Sequence, residues 1–509
     1  MDGLPKEVVE YIKELENKII ILTETLAAMQ KKQFGQSSEK SSYILNEEEQ
    51  THLFNEAEVC ADESVPEEVV IKSYKRKPKR TKEELAEILP VETVIIDIPE
   101  ENCTCNICEN ELQPIGREFV RRELNIIPAR AYIEEIYRVN YSCTNCEKET
   151  DKSNIIKSPV PEPVIKRGLA SASSVAHVIY QKFVNSIPLF RQEKDWENQG
   201  VIISRATLAN WIIYVSLNWF MPLYFLMKSY LIKLPVIGAD ETVTQVLNED
   251  GKTPQSQSRM WVYCSGDSRD PPIYLYEYQP TRSGEHAKEF LTGFTGFLIT
   301  DGYAGYNCIE DVTRCGCWAH QRRKYEEALP KGKNKASKAA KGLEYCNKLF
   351  ELEREFRDLS FEVRHEKRNE LSKPVLEAYY SWLKTINPLE GSKLAKAVNY
   401  SYNQADELKA FLLDGRIEIS NNRAENAIRP YVIGRKNWLF SATVRGAKSS
   451  AVCYSLIETA KANNLNPYKY LLYLLTNLPT IIKSGNTDSL NQFLPWADEI
   501  PDYCRIEEK

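Results

Sequence analysis

The 509-residue chain carries two sets of residues whose types and spacing suit metal chemistry. The first is acidic. Asp240 ends the run Leu234-Pro-Val-Ile-Gly-Ala-Asp, Asp301 ends Gly296-Phe-Leu-Ile-Thr-Asp, and Glu425 lies within Ser420-Asn-Asn-Arg-Ala-Glu-Asn-Ala-Ile-Arg. The two Asp follow short apolar runs that read as buried strands, so each carboxylate emerges at a strand end. Glu425 falls in a stretch with helical spacing. Three convergent carboxylates suit two Mg²⁺ (or Mn²⁺) ions, one activating an attacking oxygen and one stabilising the leaving oxygen of a phosphodiester. Either Asp alone reads more readily as a turn or helix cap, because most of the 72 carboxylates of this chain must be solvated surface charges. What shifts the reading is the company the three keep.

The second set is sulfur. Cys105-x-x-Cys108 and Cys143-x-x-Cys146 form two paired knuckles, separated by strand-like alternation around Tyr132–Tyr141. Four thiolates at this spacing predict a closed, structural Zn²⁺ ribbon, with Cys103 as a spare neighbour. A third group, Cys317-Trp-Ala-His320, offers only two ligands and is expected to pack rather than bind metal.

The elements that must position these residues predict a multidomain α+β chain. Val8, Ile12, Leu15, Ile19, Leu22, Leu26 and Met29 step by alternating fours and threes, a heptad seam that predicts a coiled coil and self-association. With the turn that follows it, this segment spans residues 1–45. Residues 46–85 read as an acidic linker and then a basic arm, Lys72-Ser-Tyr-Lys-Arg-Lys-Pro-Lys-Arg-Thr-Lys, in which Arg76, Lys77, Lys79 and Arg80 are placed to meet phosphates. The zinc ribbon occupies 86–160. A helical, helix-turn-helix-like domain follows over 161–232, where Ser204 caps a helix presenting Arg205, Thr207 and Asn210.

From Leu234 the period changes. Strand-like runs at Val236–Leu247, Met260–Cys264 and Ile273–Tyr278, a helix near Glu285–Leu291 and a strand ending at Asp301 give a β-β-β-α-β order. That order predicts a mixed sheet of the RNase H-like α/β kind across 233–445. The 123 residues between Asp301 and Glu425 are too many for one connection and predict a helical insertion at about 318–412. Its Lys/Arg-rich content, including Arg322, Arg323, Lys324, Lys331, Lys333 and Lys335, suits a DNA backbone. Beside the Glu425 helix, Arg429, Arg435 and Lys436 are further phosphate candidates, while Trp438 is expected to pack. Residues 446–509 read as a C-terminal helical region.

Composition sets the outer bounds. A content of 42% apolar and 10% aromatic residues is ordinary for a soluble globular protein. No apolar run approaches the 18 residues of a membrane span and no signal peptide is evident, so a cytoplasmic protein with no membrane partner is expected. The 13 Cys are diluted over a long chain, which argues against a secreted disulfide scaffold. Net charge is −6, yet residues 1–70 hold 16 Asp/Glu against 6 Lys/Arg, a balance of −10 that leaves +4 for the remainder. Local basic patches therefore outrank global charge in deciding for a nucleic-acid partner.

Taken in order, the leucine-zipper-like start, Gln33-Phe-Gly-Gln-Ser-Ser-Glu-Lys, the double C-x-x-C, Pro188-Leu-Phe-Arg-Gln-Glu, Ala239-Asp-Glu-Thr, Thr300-Asp-Gly-Tyr-Ala-Gly-Tyr, Cys317-Trp-Ala-His-Gln-Arg-Arg-Lys and Gly434-Arg-Lys-Asn-Trp-Leu-Phe form a pattern. It resembles the large transposase of the insertion sequence 66 family, a bacterial DDE transposase, over roughly residues 8–480. The resemblance implies a catalytic triad at Asp240, Asp301 and Glu425 and zinc ligands at Cys105, Cys108, Cys143 and Cys146. It also implies cleavage and strand transfer at terminal inverted repeats, joining to target DNA, and small helper proteins of the same element as partners. A homodimer or higher oligomer would hold two element ends together. Two positions depart from the family pattern: Ser420 stands where Asp is common, and Asn426 where Arg is usual. A DNA-binding protein with a relic triad is the alternative, and a structure-specific nuclease on the same core is a third reading.

Overall fold

The computed structural model describes residues 131–142, 155–266, 271–330 and 337–506. The predicted coiled coil, linker, basic arm and all four ribbon cysteines lie outside the described residues, as do Lys331, Lys333 and Lys335. Of the alternating run expected around Tyr132–Tyr141, only its end is strand: β1 (Asn140–Ser142) pairs antiparallel with β2 (Ile155–Lys157). Residues 131–139, before β1, are exposed and belong to no helix or strand, because a strand exists only where a neighbour completes its ladder.

Four helices come next, α1 (Ala172–Phe183), α2 (Leu189–Asn198), α3 (Arg205–Val215) and α4 (Met221–Leu231). Each begins on a fitting residue. Ser171 and Ser174 cap α1 reciprocally, the Ser204 hydroxyl accepts the Thr207 N–H at the start of α3, and Pro222 is the second residue of α4. A π turn at Ser216–Phe220 joins α3 to α4 without a break.

The sheet is built from β3 (Val236–Asn248), β4 (Gln257–Ser265), β5 (Tyr274–Gln279), β6 (Phe297–Ile299) and β7 (Thr313–Cys315), in the order β5-β4-β3-β6-β7. The helix α5 (Gly284–Phe290) carries the chain from β5 to β6. Pairing is antiparallel from β3 to β5 and parallel from β3 through β6 to β7. The sheet is therefore mixed, with β3 central.

Between the sheet and Glu425 lie α6 (Trp318–Glu327), α7 (Lys338–Glu355), α8 (Phe361–Lys367), α9 (Lys373–Leu383), α10 (Lys393–Asn403) and α11 (Ala405–Lys409). They gather around Trp318, Tyr325, Leu349, Leu376, Tyr379, Leu408 and Phe411, which form a second core. Arg368 is fully buried here. It pairs with both oxygens of Glu353 at 2.8 and 2.6 Å and donates to the carbonyls of Phe411, Asp414 and Ile417, so its charge and every donor are matched.

The chain returns to the sheet through α12 (Asn422–Trp438), the strand β8 (Ser441–Thr443), α13 (Val444–Ala462) and α14 (Pro467–Lys483). β8 pairs with the far end of β3. α13 covers the outer edge of β5: the Ser455 and Thr459 hydroxyls accept the N–H groups of Tyr276 and Tyr274 at 2.8 and 3.0 Å. An edge that would otherwise present unpaired backbone is thus closed by side chains. The same core takes in α1, α3 and α4, the sheet, and α12 to α14.

Candidate active site

The register of the sheet brings two of the three acids level. Ile299 on β6 pairs with Gly238 on β3. Asp301, two residues past Ile299, therefore lies alongside Asp240, two residues past Gly238. β6 ends at Ile299, so Asp301 leaves the sheet while Asp240 stays within β3 opposite Val262. Asp301 is held locally: the Tyr303 N–H donates to its Oδ1 at 2.9 Å, and Arg314 reaches its carbonyl and the Thr300 hydroxyl at 3.2 Å.

The N-terminus of α12 brings the third. The side chain of its N-cap, Asn421, is buried and donates from Nδ2 to the Ala239 carbonyl at 2.9 Å, immediately before Asp240. Gly238 leaves room for this approach: a Cβ there would stand 3.1 Å from Cys264 Sγ and 3.4 Å from Asn421 Oδ1. Glu425 follows in the first turn of α12, where the helix dipole favours a carboxylate.

The neighbouring acids act on Asp240. Burial pushes the Asp240 carboxyl well above its ordinary range, and the charges of Glu241, Asp301 and Glu425 push it further, against a single N–H from Glu241 at 2.8 Å. Glu241, next on the strand, points to the other face of the sheet. Its side chain is buried, bound by Arg282 at 2.6 Å and by the Tyr306 hydroxyl at 2.7 Å, with burial again the main cause of its upward shift. The sequence signals this clamp only through the second acid of Ala239-Asp-Glu-Thr.

Cys317 and His320 also meet Glu425, although they were expected merely to pack. Cys317 is the N-cap of α6 and His320 its third residue, so the two side chains share one face of that helix end. Cys317 is indeed buried, and its Sγ accepts the Asn421 N–H at 3.2 Å, tying the starts of α6 and α12 together. His320 Nδ1 lies 3.5 Å from Glu425 Oε1, and Arg323 lies 3.8 Å from Oε2. Burial lowers the His320 pKa against the pull of Glu425 and Asp301, and raises the Cys317 thiol to about 12.

The basic candidates are placed as follows. Arg322 pairs with Asn347 and Glu326, Arg323 stands beside Glu425, and Lys324 lies over the Tyr400 ring, which packs on Gly302. Arg435 is buried and reaches Thr242 on β3, whereas Lys436 is exposed and Arg429 half-buried. Trp438 packs among Phe183, Tyr431 and Tyr454. Arg205, Thr207 and Asn210 are exposed on α3. Asn426 faces a cleft of about 530 Å³ lined also by Tyr274, Glu418, Arg423, Glu458 and Lys461.

Comparison with known proteins supplies the context. A family model described as Transposase IS66 family matches residues 167–449, and one described as IS66 C-terminal element matches 455–496. A zinc-finger binding domain of transposase IS66 matches 102–147, and Transposase C of IS166 homeodomain matches 21–94. The chain is similar to three proteins of Sinorhizobium fredii, each described only as an uncharacterized protein. It is 28% identical to y4hP, over 94% of this chain and 88% of that protein. It is 28% identical to y4qI, over 95% and 90%, and 30% identical to y4jD, over 81% of each. Among the described residues, no helix is long and apolar enough to cross a membrane.

Proposed function

Because this chain belongs to the IS66 transposase family, we propose that it cuts and joins DNA at the ends of a bacterial insertion sequence, with Asp240, Asp301 and Glu425 as its catalytic carboxylates. One observation carries the reading: the parallel register of β3 and β6 sets Asp301 alongside Asp240, and the Asn421 bond to the Ala239 carbonyl brings the first turn of α12, with Glu425, to the same place, so that both acids oppose ionisation of Asp240. Such a cluster is costly to the fold and fits a divalent cation, whose charge relieves the repulsion. We read the mixed sheet around β3 as an RNase H-like core.

Asp240, Asp301 and Glu425 would hold Mg²⁺ or Mn²⁺. When bound, the metal supplies Lewis-acid activation and charge neutralisation for displacement at phosphorus. The chain's own groups do the rest. Asn421 and Arg314 fix the backbone that carries the acids. Arg323 and Lys324, on the α6 face beside Glu425, orient a phosphate backbone across the site. The exposed α3 residues, the basic arm at Arg76–Arg80 and a ribbon built by Cys105, Cys108, Cys143 and Cys146 recognise the terminal repeats. Coupled cleavage and joining needs both element ends held together, and pairing of two protomers through the N-terminal heptads serves that need.

The test in cells uses a marked element flanked by its own ends, with the element's small proteins supplied. Wild type should mobilise the marker, and Asp240→Asn or Glu425→Gln should reduce the frequency by about a thousandfold, the equivalent of several kcal/mol of lost metal stabilisation. Mobilisation at an undiminished frequency by either variant contradicts the proposal.

A further inference from the structure

The geometry points to a second metal site, and we propose that Cys317, His320 and Glu425 together bind one Zn²⁺ through three protein ligands, taking Glu425 away from the acid cluster when they do so. One ligand atom from each lies within 4.8 Å of the other two. Side chains at the N-cap and third position of a helix face each other, so Cys-x-x-His at the start of α6 presents sulfur and imidazole as a pair. α12 brings the carboxylate from the opposite side, and the hydrogen bond from Asn421 to Cys317 Sγ locks the two helix ends in register.

A second, independent observation marks the site as made for a ligand. His320 Nδ1 and Glu425 Oε1 are both buried, and neither has a hydrogen-bond partner although they lie 3.5 Å apart. Buried polar atoms left unsatisfied at one point destabilise a fold unless something occupies the space between them. A divalent cation satisfies both, and Cys317 supplies the third ligand. Binding releases the thiol proton of Cys317 to solvent and leaves a thiolate on the metal.

The donor set selects the metal. Thiolate and imidazole favour Zn²⁺ or Co²⁺ over Mg²⁺, and three protein ligands leave one position open. This site is distinct in donors and in metal from a carboxylate-only Mg²⁺ site, with Glu425 as the shared residue. Only the competition for Glu425 rests on the function proposed above; the zinc binding does not.

Zinc content of the full-length chain, purified and freed of loosely held metal, tests the proposal without DNA. Wild type should hold about two Zn²⁺ per chain, one in the ribbon and one here. Cys317→Ser and His320→Ala should each hold about one, and Cys108→Ser should lose the other. Co²⁺ replacement adds an independent reading: the thiolate charge-transfer absorption of wild type should fall in Cys317→Ser. His320 is partly exposed, so His320→Ala keeps the test valid if Cys317→Ser fails to fold. Equal zinc content in wild type and folded His320→Ala overturns the proposal and leaves a histidine–carboxylate contact only. Failure of the marked element to move, with zinc lost in His320→Ala, would overturn the transposase reading instead and leave this one standing.

Discussion

Asp240 is held where its own ionisation is opposed from three sides, by Glu241 on the same strand and by Asp301 and Glu425 from other elements. A group in this position weakens the metal-free fold, so its neutral isostere should strengthen it. Asp240→Asn should raise the melting midpoint of metal-free protein by about 2–4 °C while lowering activity by about a thousandfold. Calorimetry without divalent cations checks this, and a lowered midpoint would mean that the carboxylate is a structural asset. Glu277 on β5 makes a parallel case away from the site. Burial raises its pKa from 4.5 to about 7, with a hydrogen bond from Gln279 opposing, and its Oε2 has no hydrogen-bond partner. A raised folded-state pKa means that its stabilising contribution is complete below pH 4.5 and lost as the pH climbs through about 7. Glu277→Gln should therefore gain on wild type across that window, by about 1–2 kcal/mol after allowance for its partial exposure. Urea unfolding at several pH values measures the gain, and a difference that does not change with pH would refute it.

Among the elements, the start of α12 matters most, because it alone sets Glu425 against the sheet. Asn421→Ala removes the bond to the Ala239 carbonyl and leaves that buried acceptor unpaired, a loss of about 1–3 kcal/mol. Its effect on strand transfer should exceed its effect on stability, since Glu425 loses its anchor; activity retained at a lowered midpoint would show that the anchor does not position the acid. The elements themselves were partly legible in the sequence. β3 was expected at Val236–Leu247 and runs to Asn248, and the α5 helix expected near Glu285–Leu291 spans Gly284–Phe290. β4 begins earlier than its apolar run, because Gln257, Ser258 and Arg259 pair with β3 despite their polarity. β7 and β8 escaped notice, since three residues carry no period to read. Cys317 and His320 were visible as a pair, but their third partner is more than a hundred residues away in sequence, and only the fold supplies it.

At the scale of the molecule, the sharing of one core by α1, α3, α4, the sheet and the C-terminal helices could not be read from the chain. Each helix shows an apolar face, and nothing in such a face names the surface it will cover. The helices from α6 to α11, by contrast, pack around a second core that also takes in Val236, Ile299 and Cys315 from the sheet, and the return of the chain at α12 brings Glu425 to the two Asp. A site assembled from β3, β6 and α12 thus depends on a long excursion folding correctly between its second and third acids. The most direct measurement of the central claim is strand transfer in solution, using labelled DNA with the element's own ends, Mg²⁺ or Mn²⁺, and the small proteins of the element. Wild type should yield joined products and Asp301→Asn, equally folded and equally able to bind the ends, should yield none. Joined products from Asp301→Asn, or binding without cleavage by wild type under the same conditions, would contradict the account.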